Sequence, residues 1–128
     1  MHIEAFRDYC LTKKGTTEDL PFDENTLCFR VMGKIFAITD LAVFDTVTLK
    51  CDPGRVAELR ERYQGIQPGY HMNKKHWNTV MMDGSVPDVL FRELIDHSYD
   101  MVVKGLTKAQ KRSSVLDINQ DTTGRSKT

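Results

Sequence analysis

Three runs rich in β-forming residues, at 27–32, 35–39 and 46–50, follow one another with connections too short to carry a crossover. Parallel neighbours need a dozen or more connecting residues, so these runs are expected to pair antiparallel. Gly33-Lys34 reads as a tight hairpin turn between the first two. Thr46-Val47-Thr48-Leu49-Lys50 alternates as a strand with one buried face does. A fourth run, residues 77–82, ends in the turn signal Asp83-Gly84.

Helical spacing surrounds these strands. Ile3, Phe6, Tyr9 and Cys10 share one helical face, and Lys13-Lys14-Gly15 closes that helix with cations and a glycine. Residues 16–25 are polar and interrupted by Pro21, a loop from which Leu20 and Phe22 are expected to fold back onto the core. Asp52-Pro53 announces a second helix, with Asp52 as its cap and Pro53 where a missing N–H does no harm. Its stripe is Val56, Leu59 and Tyr63, with Arg55, Glu58, Arg60, Glu61 and Arg62 assigned to water. Ser85 and Asp88 resemble a capping box for the longest helix, whose apolar face holds Leu90, Leu94, Tyr99, Met101, Val102 and Leu106. The expected order is α-β-β-β-α-β-α, an α+β fold with an antiparallel sheet covered by helices on one face.

A chain of 128 residues fits one domain with a real core. We place that domain at 1–116, including a short basic extension over 107–116. Residues 117–128 are polar and without period, and predict a disordered tail. No apolar run approaches the roughly 20 residues that span a bilayer, and the acidic N-terminal segment is unlike a signal or transit peptide. Cys10, Cys28 and Cys51 are odd in number, widely spaced and free of any CxxC pattern. They read as small buried thiols in a reducing, cytoplasmic setting rather than as a disulfide framework or zinc site.

Lysine plus arginine balance aspartate plus glutamate at 18 each, so the chain has no global footprint for nucleic acid. The charges are striped, however. Residues 50–75 hold six basic and three acidic groups, against one basic and five acidic in residues 76–103. Within the positive band lies PGYHMNKKHWNTV, residues 68–80, a Pro-Gly turn followed by two histidines, adjacent lysines and the only tryptophan. Trp77 starts a strand and is expected to be buried. Lys74 and Lys75 could neutralise phosphates, with Lys50 and Arg55 near in sequence. Asn73, His71 and His76 could donate to phosphate oxygens, and Tyr70 could stack on a base. The spacing of His71 and His76 matches no metal site. No serine or cysteine has the context of a nucleophile, and no Gly-rich loop cradles phosphate, so neither enzyme activity nor a cofactor is expected.

The run PGYHMNKKHWNTV, followed by DGSVPD and LIDHSYDMVVKGL and preceded by FRVMGKIFAITDL and VTLKCDP, resembles the MmcQ/YjbR family over roughly residues 1–112. That resemblance implies a frataxin-like or secretion-chaperone-like α+β fold and the description "DNA-binding protein" that members usually carry. It implies no catalytic residue. Two readings follow: weak, sequence-independent contact with DNA through residues 70–76, or a chaperone-like module that binds another protein or a second copy of itself. A continuous positive surface would favour the first, and a large exposed apolar patch the second.

Overall fold

Met32 and Gly33, at φ 50° and 79°, form a two-residue hairpin turn whose left-handed backbone matches the twist of the strands it joins. The turn lies one residue before the expected position. In the computed structural model, which describes residues 1–69 and 72–106, the elements are α1 (Ile3–Leu11), β1 (Thr16–Asp19), β2 (Thr26–Val31), β3 (Lys34–Asp40), β4 (Thr46–Lys50), α2 (Pro53–Arg62), β5 (Ile66–Pro68), β6 (Trp77–Met81) and α3 (Asp88–Lys104). The six strands form one sheet in the order β1-β2-β3-β4-β6-β5, every neighbouring pair antiparallel. The α+β class and the antiparallel sheet are as expected. The order gains two strands. β1 lies in the segment read as a loop, and β5 is only three residues long. Neither has a period of its own; each is a strand because a neighbour offers a ladder. The expected extension over 107–116 and tail over 117–128 lie outside the described residues. No helix among the described residues is long and apolar enough to cross a membrane.

The register shows where the core sits. Leu27, Thr39, Val47, Val80 and Ile66 are successive partners across five strands, and all are buried. Phe29, Ala37 and Leu49 form a second row on the same face. Against these rows pack Phe6 and Cys10 of α1, Val56 and Leu59 of α2, and Phe91, Leu94, Ile95 and Val102 of α3. Phe6 sits edge-on to Phe29 at 5.4 Å and stacks on Phe91 at 5.8 Å, joining the first helix, the sheet and the last helix.

Four local expectations are corrected. Phe22 is 69% exposed and Leu20 43%, rather than folded onto the core. Asp23 accepts hydrogen bonds from the Asn25 and Thr26 amides and the Thr26 hydroxyl, which fixes the turn with Phe22 outward. The buried stripe of α3 is Phe91, Leu94, Ile95, Ser98 and Val102, whereas Leu90, Tyr99 and Met101 are half-buried. Ser85 does not cap α3: its amide and hydroxyl both donate to Asp83, and Pro87 occupies the cap position. Arg55 and Arg60 do not simply face water. Arg55 makes a bidentate pair with Glu93 at 3.1 and 2.9 Å, tying α2 to α3.

One buried hydroxyl closes the sheet where its regularity fails. The β2–β3 register shifts at Phe29/Arg30, so that Phe29 faces Ala37 and Arg30 faces Ile35, with Phe36 as the extra residue. The β3–β4 ladder ends at Ala37 and Leu49. One position beyond, the Ser98 hydroxyl donates to the Phe36 carbonyl and accepts the Lys50 amide at 2.8 Å. A helix side chain thus supplies the rung that the bulge removes.

His97 lies one residue before Ser98, and its Nε2 accepts the Asp52 amide at 3.0 Å. Burial, with Arg55 nearby adding to it, pushes its pKa below the ordinary histidine value.

Ser98→Ala should lower stability by about 1–3 kcal/mol, because it leaves a buried donor and acceptor unpaired. A urea midpoint equal to that of the parent would contradict this. For His97 the unfolded chain binds its proton more readily than the folded one. Its effect on stability is therefore absent above pH about 6.5, grows unfavourable as pH falls from there toward the lowered folded pKa, and levels off below it. His97→Gln, which keeps an acceptor but does not titrate, should show a shallower loss of melting temperature on acidification below that pH. Parallel profiles would show that His97 is not titrating against the fold.

Candidate nucleic-acid interface

The lysine loop is held by backbone contacts. The Cys51 amide donates to the His76 carbonyl at 2.8 Å, fastening the loop to the end of β4. The Gly69 amide donates to the Trp77 carbonyl at 3.0 Å, and a Cβ on Gly69 would stand 2.8 Å from the Trp77 Cβ, so only glycine fits. Asn73 accepts the Lys75 amide at 2.9 Å through its side chain and the His76 amide at 3.1 Å through its carbonyl, an Asx-type turn that leaves Lys74 and Lys75 exposed.

Arg60 anchors the loop from α2. Its guanidinium donates to the Asn78 side-chain oxygen at 2.7 Å and to the Trp77 carbonyl at 3.0 Å, and also to the Lys74 carbonyl. Assigned to solvent from sequence, it instead carries much of the loop's positioning. A signal was present: Val56, Leu59, Arg60 and Tyr63 follow the i, i+3, i+4, i+7 spacing of a single face.

Lys50 and Trp77 are register partners, so both point to the face opposite Leu49 and Asn78. Trp77 is buried, as expected, at 9% exposure, but it stands outside the helix-side core cluster. Trp77, Lys50, Arg30, Lys34, Ile35 and Val102 line a depression of about 370 Å³ at this end of the sheet. Arg30 is matched by Asp19 at 3.0 Å and also donates to the Gly33 carbonyl. Lys34, Lys50, Lys74 and Lys75 make no ion pair among the described residues, whereas Arg7, Lys13 and Arg55 pair with Glu18, Asp96 and Glu93.

Of the expected site residues, Lys50, Asn73, Lys74, Lys75 and His76 therefore meet at one end of the sheet. Arg55 is turned instead to Glu93, whose carboxyl it holds below the usual carboxylate range. Tyr70 and His71 lie outside the described residues. Sequence reasoning missed Arg30 and Lys34, which reach Lys50 only through the hairpin turn and the bulge. The three cysteines are free and buried, as expected, and burial raises each thiol pKa.

Arg60→Met keeps the aliphatic stem but removes every donor, and should cost about 1–3 kcal/mol. Amide hydrogen exchange should accelerate at residues 72–77 more than in β2 and β3. Unchanged exchange in the loop would show that Arg60 does not hold it.

The family model YjbR matches residues 11–101. The chain is 37% identical over 111 residues to the uncharacterized protein YbdF of Escherichia coli O157:H7, covering 79% of this chain and 89% of that one. It is 31% identical over 113 residues to the uncharacterized protein YjbR of Escherichia coli K12, covering 88% and 96%. Among solved structures, the Deinococcus radiodurans protein DR2400, a DUF419 domain, superimposes with a TM-score of 0.81 at 42% identity, over 86% of this chain and 85% of that one. A Pseudomonas syringae protein does so with a TM-score of 0.67 at 29% identity, over 79% and 98%. With its model matched across most of the sheet and α3, the chain belongs to the YjbR family.

Proposed function

We propose that this protein binds nucleic acid weakly and with little base preference, through the cations gathered at the end of the sheet where β4 meets the loop before β6. The observation that carries the reading is the local charge balance. Lys34, Lys50, Lys74 and Lys75 have no ion-pair partner among the described residues and gather at one end of the sheet, whereas Arg62, Arg92 and Lys104, also unpaired there, lie apart on two helices. Phosphate attraction requires a local positive patch rather than a basic protein. Trp77 is only 9% exposed and shows just the part that lines the depression, too little to stack successive bases of a strand, which favours backbone contact over base reading.

A second reading, a protein-interaction module, is supported by the opposite end of the sheet. There Leu20, Phe22, Leu41 and Val43 are 41–69% exposed. A depression of about 390 Å³ beside them is lined by Arg7, Glu18, Asp19, Leu20, Leu27 and Leu41.

Four phosphate contacts would give log K a slope against log salt of about −3.6 on duplex DNA, so mobility shifts seen at about 50 mM salt should weaken about a hundredfold by about 200 mM. Lys74→Glu combined with Lys75→Glu should remove at least about 1.8 of that slope without moving the melting temperature, because exposed charges rarely shift stability by more than about 0.5 kcal/mol. No shift of duplex or single strands at the lower salt would reject nucleic-acid binding and leave the interaction module as the leading reading.

A further inference from the structure

The depression between Lys34 and Lys50 has a shape and charge that the exposed lysine loop lacks. Beyond Ala37 and Leu49, β3 and β4 are no longer paired, and Ser98 bridges Phe36 and Lys50 in place of the next rung. The strands are thus held together at their last rung and open beyond it. Lys34 and Lys50 line the opening from opposite strands, with Trp77, Ile35 and Val102 as apolar walls. At about 370 Å³ it lies within the size range of small-ligand sites and exceeds what a bare oxyanion fills.

Its charge can be counted. Arg30 is balanced by Asp19. Gly105, which caps α3, also lines the depression, so the negative helix end contributes about −0.5. Two unpaired lysines against that half charge, itself offset by Lys104 in the last turn of α3, leave a surplus of at least about +1.5. A phosphodiester offers one negative charge, whereas a phosphate monoester carries about −1.5 to −2 near neutral pH. The surplus matches the monoester.

We propose that this opening is a seat for the phosphate monoester of a nucleotide, with the phosphate between Lys34 and Lys50 and the nucleoside against Trp77 and Ile35. The occupant is a free nucleoside 5′-monophosphate or the 5′-phosphorylated end of a strand, since both present the same group. The inference deepens the nucleic-acid reading, because it uses two of the same cations, yet the two can fail separately.

The test uses the full chain and amide correlation spectra. Adenosine 5′-monophosphate should shift Gly33, Lys34, Ile35 and Lys50 saturably, and adenosine should not. Lys34→Gln and Lys50→Gln should each weaken that binding about tenfold, the scale of one charge-assisted hydrogen bond. Short strands with and without a 5′-phosphate then separate the sources. Tighter binding of the phosphorylated strand assigns the seat to strand ends, and equal binding assigns it to the free nucleotide. No saturable shift with the monophosphate, or shifts centred on Lys74 and Lys75 instead, would overturn the proposal. Mobility shifts of duplex with 5′-hydroxyl ends read the wider interface independently: a duplex shift without monophosphate binding sinks the seat alone, and the converse sinks the interface alone.

Discussion

The Ser98 hydroxyl is the small contact on which the sheet's basic end depends. A bulge gives the sheet an extra residue at Phe36 and ends regular pairing between β3 and β4. Without a substitute, a buried amide and a buried carbonyl would be left unpaired, at a cost that a domain of this size can ill bear. Ser98 satisfies both and locks the register of α3 against the sheet. Its neighbours extend the lock: His97 receives the Asp52 amide, and Glu93, one turn earlier, holds Arg55. One stretch of α3 therefore positions the end of β4, the start of α2 and, through Cys51, the lysine loop.

The charges divide by their surroundings. Where two elements must be held together, cation and carboxylate are paired: Arg7 with Glu18 joins α1 to β1, Lys13 with Asp96 joins the end of α1 to α3, and Arg55 with Glu93 joins α2 to α3. Such half-exposed pairs contribute little stability individually, and their value here is in fixing which element lies beside which. The lysines at 34, 50, 74 and 75 serve no such joint among the described residues. Within a net charge of zero, paired cations thus mark joints between elements, and four lysines without an ion pair gather at one end of the sheet, with others such as Arg62, Arg92 and Lys104 spread over the helices.

Much of this was legible in the chain itself. The alternation at residues 46–50 and the short connections on either side dictated an antiparallel sheet, and Asp52-Pro53 marked the start of α2, where Asp52 accepts the Gly54 amide. What escaped depends on partners distant in sequence. β1 is TTED, polar and without alternation, and becomes a strand only by pairing with β2. The role of Ser98 was not legible in the chain because its two partners lie 62 and 48 residues away. Arg60 was misassigned because its residue type outweighed its position on the buried stripe. The loop lysines could be named from their neighbours, but Arg30 and Lys34 could not be joined to Lys50 before the bulge was known.

The two edges of the sheet are protected against strand addition in different ways. β1 ends in Glu18 and Asp19, which are held from opposite faces, Glu18 by Arg7 of α1 and Asp19 by Arg30. An incoming strand would meet two carboxylates already fixed in place, a known deterrent to edge pairing. β5, at the other edge, is three residues long and ends in Pro68, which has no amide to offer. Strand addition is therefore disfavoured on both sides, and the helices cover one face. The loop ends remain, and they are chemically unlike: lysines gather around Trp77 at one, and Phe22 and Val43 stand exposed at the other. The two proposed readings therefore call on opposite ends of the same strands, and evidence for one would not count against the other.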